Sequence, residues 1–331
     1  MEIKDIEYFL PNQVLSNNDL ENQFPNWDSK KIESKIGISE RHIVQKNETA
    51  LDLGEEAAKK VLSGFDKKDI DFLLFCTQSP DYFIPTSACI LQERLHLETG
   101  IGALDYNLGC SGYIYGLALA KGLLLSKVAK NVLLVVAETY SKHIYGKDIA
   151  NLALFGDGAA ATRISSDSQQ DKLGNFVLGT DGIGFKNLIV KHGGFRHNLE
   201  YLPKEIDNGT ESKYTENHLY MNGPEIFNFT IEKIPGLIEE TLEKNNFVIE
   251  DVDYFIFHQA NKYMLNYLRR KIKIPKNKFY NNINNTGNTV SATIPIALKN
   301  CINDKLVVKG NKIMLVGFGV GYSWGSTIIT L

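Results

Sequence analysis

Three residues of this chain, Cys110, His258 and Asn288, are of the types that together can work on a carbonyl group. Cys110 sits in Asn107-Leu108-Gly109-Cys110-Ser111-Gly112, and the small-residue apolar run from Tyr113 to Ala120 that follows predicts a helix over 110–126. A thiol at a helix start meets unpaired backbone N–H groups and the positive dipole end, so thiolate is expected to be favoured there. A cysteine packed as a small apolar core residue is the commoner fate. The presence of an imidazole and an amide that can be placed beside Cys110 favours the reactive reading. A thiol can take up an acyl group, and two donors can hold an oxyanion that forms later.

What places them together is a faint internal duplication. Phe65-Asp66-Lys67-Lys68-Asp69-Ile70-Asp71-Phe72-Leu73-Leu74-Phe75-Cys76 repeats in pattern as Phe247-Val248-Ile249-Glu250-Asp251-Val252-Asp253-Tyr254-Phe255-Ile256-Phe257-His258. Asp71 and Asp253 lie 182 residues apart, Cys110 and Asn288 178, and Asn131 and Lys312 181. Each repeat of the first pair reads as a turn followed by a strand buried on both faces, because its apolar run is continuous. Two similar α/β halves packed about a pseudo-twofold axis would put Cys110 and Asn288 at related helix starts. His258 would then end the strand that Cys76 ends in the first half.

Strands are expected near 71–77, 101–107, 131–137, 176–180, 253–258, 312–317 and 326–331. Helices are expected near 50–63, 86–96, 110–126, 224–245, 261–272 and 290–302. The polar stretch 165–175 is the expected join, giving halves of 1–170 and 171–331. A polar insert over 192–219 carries His192, His197 and His218; it reads as a solvated surface loop, and no metal or cofactor is expected.

Composition narrows the class of function. A chain of 331 residues with net charge −3 carries no nucleic-acid footprint. Four cysteines (76, 89, 110, 301) form no C-x-x-C pair, which fits a reducing cytoplasm better than a disulfide framework. The start, Met1-Glu2-Ile3-Lys4-Asp5, lacks a basic segment followed by an apolar one, and no run reaches the ~20 apolar residues of a membrane span.

The ordered motifs of the chain resemble those of the β-ketoacyl-acyl carrier protein synthase III family of the thiolase superfamily. They are Ile36-Gly37-Ile38-Ser39-Glu40-Arg41-His42-Ile43, the Cys110 segment, Phe155-Gly156-Asp157-Gly158-Ala159-Ala160 and Met221-Asn222-Gly223. His258-Gln259-Ala260-Asn261, Gly287-Asn288-Thr289 and Gly317-Phe318-Gly319-Val320-Gly321-Tyr322-Ser323-Trp324-Gly325 complete the set. The resemblance implies a duplicated thiolase-like α/β fold: two βαβαβαββ halves in a five-layer αβαβα arrangement. It implies that Cys110 accepts an acyl group from an acyl-CoA or acyl-carrier-protein donor. Malonyl-acyl carrier protein then loses CO2, with His258 and Asn288 donating to the enolate oxygen. The backbone N–H groups of Cys110 and Val320 would form the other oxyanion hole, and Phe318 would stand beside the sulfur.

The resemblance also assigns a homodimer in which Ile84 closes the partner's acyl pocket, a smaller residue there admitting a longer or branched acyl group. Two positions of the family's adenine clamp are changed: Lys31 replaces a tryptophan, with Trp27 four residues away, and Ile149 replaces an arginine. A specialised member using a non-acetyl or carrier-bound donor is therefore expected. Lys262, Arg269 and Lys273 share a helical face by spacing, with Arg270 alongside, and would dock an acidic carrier protein. An ordinary solvated helix surface is the plainer account of the same charges. Other functions weighed are acyl transfer to a hydroxyl or amine without decarboxylation, and a non-catalytic partner subunit, which the nucleophile counts against. A papain-like hydrolase is disfavoured by the duplication. A hydroxymethylglutaryl-CoA synthase would need an acid where Gln78 stands.

Overall fold

The computed structural model describes residues 1–168, 170–207 and 212–331. Position 169 of the expected join and positions 208–211 of the insert lie outside the described residues. Two sheets carry the chain. The first contains β1 (Glu2–Phe9), β2 (Phe72–Cys76), β3 (Gly102–Tyr106), β4 (Asn131–Glu138) and β5 (Gly158–Ser165), in the spatial order β1-β5-β4-β2-β3. The second contains β6 (Val177–Thr180), β7 (Tyr254–Phe257), β8 (Lys312–Gly319) and β9 (Ser323–Thr330), in the order β6-β9-β8-β7.

The central strands β2, β4, β7 and β8 are buried on two faces, which is why they read as apolar runs. Along β4, Val132, Leu134 and Val136 enter one core while Leu133, Val135 and Ala137 enter another. Along β8, Ile313 and Leu315 share the first of these cores, and Met314, Val316 and Phe318 enter a third. The shared core lies between the sheets around α3 (Gly112–Leu125) and α6 (Thr293–Asn303). Helix α3 buries Tyr113, Ile114, Leu117, Ala120 and Leu124 in that core, while Leu119 and Leu125 reach the surface. Against the outer face of the first sheet pack α1 (Ala50–Val61) and α2 (Ser87–Arg94). Against the outer face of the second pack α4 (Gly223–Lys244) and α5 (Lys262–Lys271). Five layers result, and the fold is the thiolase-like α/β arrangement.

The duplication holds at the level of register. Phe72 pairs in parallel with Val132, and Tyr254 pairs in parallel with Ile313. The second half departs from the expected βαβαβαββ pattern in one element. Where the first has β3, it has a single parallel bridge between Phe279 and Phe255. Strand β3 lies where a strand was expected over 101–107. It forms the outer edge of its sheet, and Leu104 is 47% exposed. Among the described residues no helix is long and apolar enough to cross a membrane.

Candidate active site

The first half delivers Cys110 from the turn between β3 and α3. The turn is tight because Cys76, at the end of β2, lies under it and places its thiol 3.1 Å from the Leu108 carbonyl. A side chain on Gly112 would come within 2.5 Å of Cys76 Sγ, so only glycine lets the helix start there. From above, β8 crosses the cysteine. A Cβ on Gly319 would stand 2.8 Å from Cys110 Cβ and 3.0 Å from its Sγ.

The expected thiolate is not what this setting favours. The helix proper begins at Gly112 with Ser111 as its N-cap, so Cys110 lies ahead of the first turn. The thiol is only 8% exposed. Burial pushes it up to about 12, the Glu138 carboxyl pushes the same way, and a bond to the Cys110 backbone opposes them weakly. Desolvation of the charge outweighs the helix-start effect.

The second half delivers His258 from the end of β7, where its N–H donates to the Val316 carbonyl at 2.7 Å. The ring meets Phe318 edge-on, with centroids 5.6 Å apart. Nδ1 lies 2.7 Å from the Thr293 hydroxyl. Burial lowers the imidazole to about 3, so the ring is neutral at physiological pH. Asn288 is held by backbone pairing with the first half. Its N–H donates to Leu154 O at 2.9 Å, and its carbonyl accepts from Gly156 N at 3.1 Å. The Val290 N–H donates to Asn288 Oδ1 at 2.9 Å, so the amide turns its Nδ2 hydrogens toward the cleft. Val290 makes that bond with φ of +56°, a left-handed conformation that strains a β-branched residue.

Cys110, His258 and Asn288 line one cleft of about 100 Å³, and Phe318 and Val320 line it with them. Leu154, Phe155, Leu188, Met221 and Ile226 make much of the remaining wall apolar. Several participants escaped the sequence reading. Gly319 is visible only as one glycine of a Gly-x-Gly-x-Gly run. Glu138 is buried behind Cys110, where it accepts bonds from the Gln78 N–H at 3.0 Å and the Ser79 hydroxyl at 3.1 Å. Burial raises its carboxyl well above the usual range. Tyr140 donates to Gln78 Oε1 at 2.5 Å and completes this polar cluster. Arg41, wholly buried, ties Leu15 O, Asn17 Oδ1 and Ala153 O together. Nothing in the spacing of these residues announces their convergence.

Other expected residues lie apart from the cleft. Ile84 is 86% exposed and stays outside the cleft of its own chain. Lys262, Arg269 and Arg270 border a surface groove together with Lys35 and Lys276. Lys273 does not share their helical face. Helix α5 ends at Lys271, and Lys273 follows the cap with φ of +65°. Ile149 is 4% exposed in a small core with Leu20 and Ala153, against which Trp27 also packs, while Lys31 faces solvent. In the insert, His192 is buried, not solvated. Its ring sits 3.4 Å from a Glu216 oxygen and 3.7 Å from a Glu200 oxygen, and it packs against His197. His218 is held at 2.7 Å by the Thr215 hydroxyl.

Duplicated sheets with Cys, His and Asn meeting between them define a thiolase-fold protein with an acyl-transfer type of site. The model of the 3-oxoacyl-[acyl-carrier-protein] synthase III family matches residues 104–182, and that of its C-terminal part matches residues 242–331. A β-ketoacyl-[acyl-carrier-protein] synthase III from Clostridium perfringens is 37% identical over 325 residues, covering 98% of this chain and 97% of its own. One from Fusobacterium nucleatum is 35% identical over 329 residues, covering 99% and 97%. A crystal structure of a 3-oxoacyl-(acyl-carrier-protein) synthase III superposes with a TM-score of 0.97 at 45% identity, covering 100% of this chain and 99% of that one. That from Thermus thermophilus gives 0.88 at 31%, covering 100% and 99%. The chain belongs to the β-ketoacyl-[acyl-carrier-protein] synthase III family of condensing enzymes.

Proposed function

We propose that the protein condenses a Cys110-bound acyl group with malonyl-acyl carrier protein. The observation that carries this is the meeting of Cys110, His258 and Asn288 in one largely apolar cleft. Cys110 Sγ attacks the donor thioester; the carbon–sulfur bond to the donor breaks, and its thiol leaves with the proton Cys110 gives up. Malonyl-acyl carrier protein then loses CO2, and the electron pair of the broken carbon–carbon bond becomes an enolate. Asn288 Nδ2–H and His258 Nε2–H hold its oxygen in a water-poor site. The enolate carbon attacks the acyl-Cys110 carbonyl, whose oxygen is held by the backbone N–H groups of Cys110 and Val320. Collapse releases the β-ketoacyl product and returns the thiol after proton uptake.

The donor is proposed to be carrier-bound, or recognised through its acyl group, and not acetyl-CoA. The buried Ile149 and solvent-facing Lys31 offer no pair of planar groups to stack on adenine. The groove bordered by Lys262, Arg269 and Arg270 is the proposed carrier-protein dock, with Lys35 and Lys276 completing its charge. The free edge of β3 and the exposed Ile84 support a homodimer in which each subunit finishes its partner's acyl pocket. The halves are read as 1–170 and 171–331, and a reducing cytoplasm as the compartment for four free cysteines. The test is to incubate the protein with acyl-CoA and acyl-carrier-protein thioesters, weigh it intact, and follow CO2 after adding malonyl-acyl carrier protein. An adduct followed by CO2 release and a β-ketoacyl product is expected. Acyl transfer to a hydroxyl or amine without CO2 would favour plain acyltransferase chemistry instead. Efficient use of acetyl-CoA at micromolar KM would remove the specialised-donor part.

A further inference from the structure

The polar insert holds a buried histidine that the acyl-transfer site does not use. His192 is 7% exposed, and its backbone N–H donates to Glu216 O at 3.0 Å, so the two residues face each other across a loop. Asn217 accepts from the Glu200 N–H at 3.1 Å and donates to the Glu200 carbonyl at 2.8 Å, which fixes the end of its amide that carries oxygen. That oxygen lies 3.3 Å from His192 Nδ1, and Glu200 Oε1 lies 3.7 Å from the same nitrogen. An amide oxygen and a carboxylate oxygen only accept, so the proton of a neutral ring belongs on Nδ1. Nε2 then turns a lone pair toward Glu216 Oε2 at 3.4 Å, while Lys191 holds the other Glu216 oxygen. Two acceptors facing each other need a cation between them.

We propose that the insert binds a divalent transition metal of the zinc type through His192 Nε2, Glu216 Oε2 and the Glu200 carboxylate, where none was expected from the sequence. One ring nitrogen and one oxygen of each carboxylate lie within 4.8 Å of one another. Tetrahedral zinc, with bonds of about 2.0–2.1 Å, sets its ligand atoms about 3.3–3.4 Å apart, which matches the gap between Nε2 and Oε2 and exceeds an ordinary N–H···O bond. An imidazole beside carboxylates suits zinc, whereas calcium and magnesium take oxygen sets. Asn217 behind Nδ1 is the outer partner that a metal-binding histidine commonly has. His197 is exposed, its ring stands 5.5 Å from that of His192, and turning its side chain would give a fourth bond. At the base of the loop, strand Leu188–Val190 pairs with Leu219–Met221, and Leu188 and Met221 line the cleft. A metal on His192 and Glu216 clips the loop just beyond that pair.

Full-length protein stripped with a chelator is titrated with zinc sulfate by calorimetry, and the metal retained after gel filtration is counted by mass spectrometry. One zinc per chain is expected. His192→Gln and Glu216→Gln should each weaken binding by more than the roughly 10- to 100-fold lost on changing an outer partner. Glu200→Gln alters a half-exposed side chain, so it reads the site even if the buried change does not fold, and it should weaken binding less. Glu205→Gln, in the same insert but paired with Lys147 and Lys213, is the control and should bind zinc as the wild type does. Zinc should also slow hydrogen exchange in peptides covering 191–200 and 213–218. Absence of zinc uptake overturns the proposal. So does uptake that His192→Gln and Glu200→Gln leave unchanged, which would mean an adventitious ion only. If lowering the pH through the imidazole range protects the metal-free insert and zinc adds nothing, a proton fills the gap and the metal assignment falls.

Discussion

The two halves share a frame and differ at its ends. In both, a parallel pair is followed by an antiparallel partner in equivalent register: β2-β4-β5 in the first, β7-β8-β9 in the second. Between β4 and β5, however, the first half inserts residues 139–157, including a helix at Ile149–Leu154. The second half turns from β8 to β9 through residues 320–322 alone. The insert supplies Leu154 and Phe155 to the cleft wall and the backbone that holds Asn288. The tight turn follows Gly319, which lies against Cys110, and places Val320 in the cleft wall. At the equivalent strand ends, Cys76 is sealed beneath the Cys110 turn, whereas His258 opens into the cleft. One frame used twice therefore brings Cys110 from one half and His258 and Asn288 from the other, the proposed nucleophile and donors, and the difference is made in connections, not in the sheets.

The division is broken most directly at the nucleophile. Cys110→Ala should abolish the acyl adduct and turnover, while Cys76→Ala and Cys301→Ala should leave both in place, as read by intact mass. An adduct surviving in Cys110→Ala would end the comparison, because the first half would no longer carry the nucleophile. Next in size, His258→Ala or Asn288→Ala should cut condensation by roughly 100- to 1000-fold each. Acylation of Cys110 should persist in both. Parallel loss of acylation would mean that the halves do not divide the labour.

The frame was legible because buried strands leave continuous apolar runs, and a repeated run shows its offset. The meeting of Cys110, His258 and Asn288 followed from that offset. What lacked a repeat stayed hidden. The wall contributed by residues 139–157 has no counterpart from which to infer it, and nothing in the spacing showed that Ile149 is a core residue. Lys273 was placed on a helix face by spacing alone, and the helix stops two residues short of it. The protonation of Cys110 depends on desolvation, which belongs to the packed site and leaves no trace in local sequence. Arg41 shows the same limit: its three partners come from distant segments.

A smaller change sharpens the contact between the halves. In Gly319→Ala the added methyl would press on Cys110 Cβ and Sγ, and β8 would have to move away. Overpacking of this kind costs about 1–3 kcal/mol, or roughly 5- to 150-fold in rate if it falls on the acylation step. Gly122→Ala, in the interior of α3 with open space around it, is the matching control and should leave acylation unchanged. Single-turnover acylation kinetics read both. Wild-type kinetics in Gly319→Ala would show that the second half does not constrain the nucleophile.

The last test concerns protonation, where burial acts on the two halves in opposite directions with one result. It pushes the Cys110 thiol up to about 12 and the His258 ring down to about 3. Both groups are thereby held neutral, so the resting site contains no thiolate–imidazolium pair. Only the thiolate alkylates. Below its pKa the thiolate fraction of Cys110 grows about tenfold per pH unit, so iodoacetamide labelling should climb without a plateau from pH 7 to 10. In an ion pair, removing the imidazolium would raise the thiol's pKa and slow labelling near neutrality. With a neutral ring there is no such charge to remove. The pH profile of His258→Ala, followed on the Cys110 peptide by mass spectrometry, should therefore superimpose on the wild type in shape. A wild-type plateau below pH 9 that disappears in His258→Ala would show that the halves meet as charged partners, with the helix-start effect and the imidazolium together outweighing burial.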